Sequence, residues 1–282
     1  MIKKILIPLD ASPYTDSAFE YGCQLAKGND AEITGLAVLD VPGIEKSIGS
    51  VPIGGIYFSQ NLVEAKKQEE LDRIMELVSK FEAKCKEEKV RYSVAECQGS
   101  PSDQIIHESM YYDLVIIGLR TYYQTKELNI EGESIEKILD STITPIIAVP
   151  EKITSIPSKG GDFRVLVAFN ESPPSVRALH RFAQRGCGEN YQVKILMSGD
   201  EEKESREALK KAQQFLFAHG FSNIDTEWTS QPVIDTVKER YMDWPDEIVL
   251  GIHSKHGLVD FMIGSLSRFL IKNGTKLLLL GQ

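Results

Sequence analysis

The order in which short apolar runs and helical stripes follow one another constrains this chain most, because that order occurs twice. Residues 2–9 form an apolar run ending at Asp10-Ala11-Ser12-Pro13, and residues 163–169 form another ending at Asn170-Glu171-Ser172-Pro173. A helical stripe follows each: Ala18, Phe19, Gly22, Cys23 and Ala26 in the first case, Val176, Leu179, Phe182 and Ala183 in the second. A later run, Leu114-Val115-Ile116-Ile117-Gly118, has its counterpart in Glu247-Ile248-Val249-Leu250-Gly251. Both lead through a polar loop to a glycine, Gly132 or Gly264, which opens a further amphipathic segment. Asn170 follows Asp10 by 160 residues, whereas Gly251 follows Gly118 by 133 and Gly264 follows Gly132 by 132. The smaller offset is accounted for if the second copy lacks residues 41–60. That stretch is rich in Gly and Pro, and reads as a long loop that is mobile or functional.

Further strands are expected over residues 31–39, 92–97, 145–150, 192–197, 224–228 and 275–281, and long charged helices over 62–88 and 201–219. Strands alternating with helices, five to a copy, define an α/β fold of two tandem doubly wound domains. Each is a five-stranded parallel sheet with helices on both faces and right-handed crossovers. The expected domains are residues 1–150 and 163–282. Residues 151–162, with Pro157, Ser158, Gly160 and Gly161, have the composition of a linker. Separate sheets are expected, so one sheet running through the whole chain would count against two copies.

Composition narrows the partners. A net charge of −9 repels phosphate backbones at long range, which argues against nucleic acid. No apolar run approaches the roughly 20 residues that span a bilayer, so no membrane is expected. The start, Met1 to Pro8, reads as a first strand and not a signal peptide. Cys23, Cys85, Cys97 and Cys187 stand far apart with no CxxC pair, the pattern of reduced, mostly buried thiols in a cytoplasmic protein.

With these residues in view, the sequence resembles the universal stress protein family in its tandem form. Nucleotide-binding members of that family carry Asp after strand one and G-x-x-G-x(9)-G-[ST] after strand four. Gly251-Ile252-His253-Ser254, nine residues, then Gly264-Ser265 keep the spacing, with Ser254 at the second glycine. In the first half the loop is one residue longer, Thr121 replaces the second glycine of Gly118-Leu119-Arg120-Thr121, and Glu133 follows Gly132. The resemblance implies ATP as ligand and pairing of the halves through the last strand of each, residues 145–149 and 276–280. The two halves would then pack face to face as a pseudo-dimer, and a homodimer is compatible with this.

In a doubly wound sheet the ligand crevice lies beyond the carboxyl ends of strands one and four. That brings Asp10 toward Gly118 and Asn170 toward Gly251. Asp10 or Asn170 could accept from a ribose hydroxyl or an adenine amine; each could equally be a turn or cap residue. Gly251, Ser254, Gly264 and Ser265, with Ser267 and Arg268 close behind, form the better anion cradle. Gly118, Thr121 and Gly132 form the poorer one, because Glu133 in the first helical turn repels a triphosphate. Arg120 and Lys126 could offset that repulsion. Mg²⁺ is expected only alongside a bound triphosphate. His253 and His256 lack a third metal ligand at metal-site spacing and read as loop residues. No nucleophile elbow, phosphate loop or paired-carboxylate signature is present, so any ATP hydrolysis would be slow. Ile53, Ile56, Tyr57 and Phe58 form an apolar cluster that could cover a nucleotide, meet a partner or simply pack. The expected function is stress-response regulation through adenine-nucleotide binding in at least one half. The alternative is a scaffold that binds no nucleotide and acts through protein contacts.

Overall fold

A computed structural model describes residues 2–49, 56–119, 133–156, 162–185, 190–252 and 264–281. The first half contains β1 (Lys4–Pro8), α1 (Tyr14–Asn29), β2 (Glu32–Leu39), α2 (Val41–Ile48), α3 (Ile56–Glu88) and β3 (Arg91–Gln98). It continues with α4 (Pro101–Ser109), β4 (Leu114–Gly118), α5 (Glu133–Ser141) and β5 (Ile146–Val149). The second half contains β6 (Phe163–Phe169), α6 (Pro173–Gln184), β7 (Tyr191–Ser198), α7 (Glu202–Ala218) and β8 (Asn223–Thr229). Then come α8 (Val233–Thr236), which runs on as a π-helical turn over Val237–Tyr241, β9 (Glu247–Gly251), α9 (Ser265–Asn273) and β10 (Leu277–Gly281).

The described strands form one sheet of ten in the order β3-β2-β1-β4-β5-β10-β9-β6-β7-β8. This corrects two expectations, that the halves form separate sheets and that they stack face to face: they meet edge to edge in one sheet. Every neighbouring pair is parallel except β5 with β10, which run antiparallel with Ile147 opposite Leu279. The continuity comes from that single antiparallel joint, and the order 3-2-1-4-5 is preserved on either side of it. Joining the two edges removes rows of unpaired backbone groups that each half would otherwise expose.

Alternation along the strands sorts side chains to the two faces. Ile5, Ile7, Val165, Val167 and Val249 point to one core, with Phe19, Phe81, Phe182 and Leu216 from α1, α3, α6 and α7. Leu6, Leu166, Ile248 and Leu250 point to the other, with Ile105, Ile138, Val237 and Leu270 from α4, α5, the π-turn and α9. Helices therefore cover both faces, as expected for strands that read as continuous apolar runs. Each such side chain, fully buried, contributes about 1.5–3 kcal/mol relative to exposure.

An aspartate one residue before the fourth strand fastens the first strand in both halves. Asp113 Oδ2 accepts from the Lys3 and Lys4 amides at 2.7 and 3.0 Å, and Asp246 Oδ2 accepts from the Arg164 amide at 2.8 Å. The stretch read as a loop from 41 to 60 instead holds α2 and the start of α3. Asp40 caps α2 by accepting from the Gly43 amide at 2.9 Å, and Pro42 lies in its first turn. Tyr57 and Phe58 stand exposed on α3, so they are not packing residues of the core.

Candidate functional site

The carboxyl ends of β1 and β4, and of β6 and β9, are adjacent, because β1 pairs with β4 and β6 with β9 in parallel register. These are the two places where strand order reverses, the position at which open α/β sheets form a crevice. Asp10 and Gly118 lie at the first; Asn170 and Gly251 lie at the second.

Asp10 is buried, and its Oδ1 accepts from the Ser12 hydroxyl at 2.9 Å. The Thr15 hydroxyl reaches both the Asp10 carbonyl, at 2.6 Å, and the same carboxylate oxygen. Asn170 is exposed, and its Oδ1 accepts from the Ser172 amide at 3.2 Å and the Ser172 hydroxyl at 2.6 Å. The Asn170 amide lies 3.4 Å from Ser175 Oγ. Both residues therefore shape the turn into the following helix, the role that short polar side chains favour there. Thr15 and Ser175 are members of this arrangement that the sequence reading passed over. The available signal was a hydroxyl five positions after Asp10 and again five after Asn170.

The glycines have different reasons to be glycine. A Cβ on Gly251 would stand 2.4 Å from the Pro174 carbonyl carbon and the Ser175 nitrogen, so the first turn of α6 packs directly on the end of β9. The Ile252 amide then donates to the Gly281 carbonyl at 2.8 Å, while in the first half Leu119 donates to Val149 at 2.9 Å. Gly118 is buried at the end of β4. Gly264 differs: a Cβ there would meet nothing within 4 Å among the described residues. Its φ of −53° and ψ of 149° suit any residue, and no side chain caps α9 among the described residues. Ser265 and Arg268 are exposed on the first turn of α9, and Ser267 is buried. The first amides of a helix carry partial positive charge and favour an anion.

Thr121, Gly132 and Ser254 lie outside the described residues, as do Arg120, Lys126, His253 and His256, and the Glu133 side chain is not described. Among the described residues no group of three His, Cys, Asp or Glu could hold a metal ion. No described helix is long and apolar enough to cross a membrane.

The arrangement is that of a doubly wound α/β protein with two switch points. Residues 1–150 match the universal stress protein family, and the chain belongs to that family. A universal stress protein from Archaeoglobus fulgidus is similar over nearly all of both chains, covering 99% of this chain and 98% of its own, with a TM-score of 0.70 and 18% identity. A protein from Pseudomonas aeruginosa, described as functionally unknown, covers 99% of this chain and 92% of its own, with a TM-score of 0.54 and 14% identity. At these identities the likeness concerns the fold. No curated protein matches the sequence.

Proposed function

We propose that this is a tandem universal stress protein, with domains at residues 1–150 and 163–282 joined by 151–162, and that it regulates a stress response by binding ATP at the second-half crevice. The observation that carries the reading is the freedom around Gly264. Gly251 is required by the packing of α6, but nothing described requires a glycine at 264. A glycine held without a packing reason, at an uncapped helix start, leaves room for phosphate oxygens against the α9 amides. Gly251, Ser254, Gly264 and Ser265 would cradle the phosphates. Asn170 would offer its amide to the ribose or base, with Mg²⁺ accompanying the triphosphate. Asp10, Gly118, Thr121 and Gly132 form the weaker site, where Glu133 opposes a triphosphate by its charge. A cytoplasmic location accords with this ligand. Titration calorimetry with ATP and Mg²⁺ tests it. Gly264→Asp is expected to abolish most binding and Gly132→Asp to leave it nearly unchanged. The reverse ranking would place the ligand in the first half, and no heat with the unmodified chain would leave the scaffold reading in its stead.

A further inference from the structure

Cys23 and Cys85 belong to neither crevice. They sit on α1 and α3, each 1% exposed, in the core cluster on one face of the sheet. Three contacts set the two helices in step around them. The Asp16 carboxylate pairs with Lys80 at 2.5 Å, the Phe19 and Phe81 rings meet edge to face with centroids 5.4 Å apart, and Lys27 pairs with Glu88. From the phenylalanine contact to the Lys27–Glu88 pair, α1 advances by eight residues and α3 by seven, about two helical turns on each. Both helices therefore run in the same direction, and the rung between the phenylalanines and the Lys27–Glu88 pair is occupied by the two thiols. There the two thiols are close enough to influence each other's ionisation.

We propose that Cys23 and Cys85 form a reversible dithiol–disulfide pair that small neutral hydroperoxides oxidise, stapling α1 to α3. The first step makes a sulfur–oxygen bond. The Cys23 thiolate attacks one oxygen of hydrogen peroxide, the O–O bond breaks, and the departing hydroxide takes up the thiol's proton as water, leaving a sulfenic acid. The Cys85 sulfur then attacks the Cys23 sulfur and the S–O bond breaks. A second water leaves with the Cys85 proton. Two thiols have lost two electrons and two protons, and one peroxide has become two waters. A dithiol reductant reverses the step.

The surroundings divide the roles. The neighbouring Cys85 thiol lowers the Cys23 thiol, burial and Glu88 work against it, and Lys84 and Lys27 assist. The neighbouring Cys23, then burial, push Cys85 up. Cys23 is therefore the attacking thiolate and Cys85 the resolving thiol. Because both are buried, a small uncharged oxidant reaches them through local opening of α1 from α3, which makes the reaction slow and selective for size. Cys97, half-buried on β3, has no place in the pair.

The test treats the folded full-length chain with hydrogen peroxide, blocks remaining thiols by alkylation and maps peptides without reduction. The expected result is one cross-link, Cys23 to Cys85, with loss of two of the four thiols, a higher unfolding midpoint, and full reversal by dithiothreitol. Cys85→Ser is expected to stop at a sulfenic acid on Cys23, trapped by dimedone, whereas Cys23→Ser gives neither product. Recovery of Cys23 and Cys85 as alkylated thiols after peroxide, or cross-links that pair them with Cys97 or Cys187, would overturn the proposal. Should a serine variant not fold, the peptide map of the unmodified chain still decides.

Discussion

Arg185 and Glu247 face each other through two hydrogen bonds of 2.6 Å, Nη1 to Oε1 and Nη2 to Oε2, with side chains 2% and 0% exposed. Arg185 follows α6 and Glu247 opens β9, both in the second half, yet Arg185 Nη1 also donates to the Tyr21 hydroxyl of α1 at 3.2 Å. The pair thus links the halves on one face of the sheet, as the β5–β10 pairing does within it. Burial works against the Arg185 charge and the Glu247 carboxylate outweighs it, so the guanidinium stays protonated. Burial likewise raises the Tyr21 phenol well above its ordinary range, with Arg185 pulling the other way. The Phe182 ring, 5.3 Å from the guanidinium carbon, offers its face to the charge.

An ion pair of this kind contributes little net stability against apolar residues of the same shape, but losing one partner leaves an uncompensated buried charge. Glu247→Gln is expected to lower unfolding free energy by about 3–5 kcal/mol. The double replacement Arg185→Met with Glu247→Leu should recover most of that loss. Urea denaturation of the two variants beside the unmodified chain checks both statements; equal damage from the single and double changes would refute the account.

The contrast between Gly251 and Gly264 predicts opposite tolerance at two positions of one sequence motif. Gly251→Ala forces a methyl into the backbone of Pro174 and Ser175 at 2.4 Å. It should cost about 1–3 kcal/mol, the range for overpacking. Gly264→Ala meets no described atom within 4 Å and should cost about 1 kcal/mol or less. Thermal unfolding of the two variants side by side measures the difference.

The fold was largely legible because parallel strands buried on both faces leave unbroken apolar runs such as Leu114 to Gly118. Turn chemistry after Pro8 and Phe169 marked the same corner twice. Helix α2 is hard to see in the sequence because Pro42 and Gly43 look like breakers, although Asp40 followed by Pro42 is a helix start. The edge-to-edge joint was implied by the two closing strands, but whether edges or faces meet depends on contacts no local pattern encodes. The Arg185–Glu247 pair was invisible for a related reason: Glu247 heads an apolar run and looks like a solvent-facing strand start. In the candidate site, Asp10, Gly118, Asn170 and Gly251 could be placed from sequence. That Gly251 serves packing while Gly264 does not became apparent only from where α6 lies.

The joint makes a prediction about cooperativity. Leu279 is 1% exposed and stands opposite Ile147 across the antiparallel pair, beside Val249 within its own half. With a shared core face and a buried ion pair, the two halves should unfold in one transition. Far-ultraviolet circular dichroism reports on both halves, while Trp228 and Trp244 report on the second alone, so the two signals should coincide. Leu279→Asp places a charge in the joint and should cost about 3–5 kcal/mol and separate the two signals. Coincident transitions in that variant would show that the halves are not coupled through β5 and β10.

Glu88 supplies a pH-dependent part of stability at the end of α3. Hydrogen bonds from Lys27 and from Lys84, the latter at 2.8 Å, hold its carboxyl down to about 2. In the unfolded chain a glutamate titrates near about 4.3. The folded value lies below the unfolded one, so the contribution is present above about pH 4.3 and is lost as pH falls toward about 2. Because the lysines are partly exposed and solvent screens them, the contribution is about 1 kcal/mol. Glu88→Gln should therefore be less stable than the unmodified chain at pH 7 by that amount. The two should converge as pH falls to about 2 and below, where protonation gives Glu88 the same neutral character. Urea midpoints measured across that range decide the matter, since a gap that persists at low pH would assign the loss to packing instead of charge.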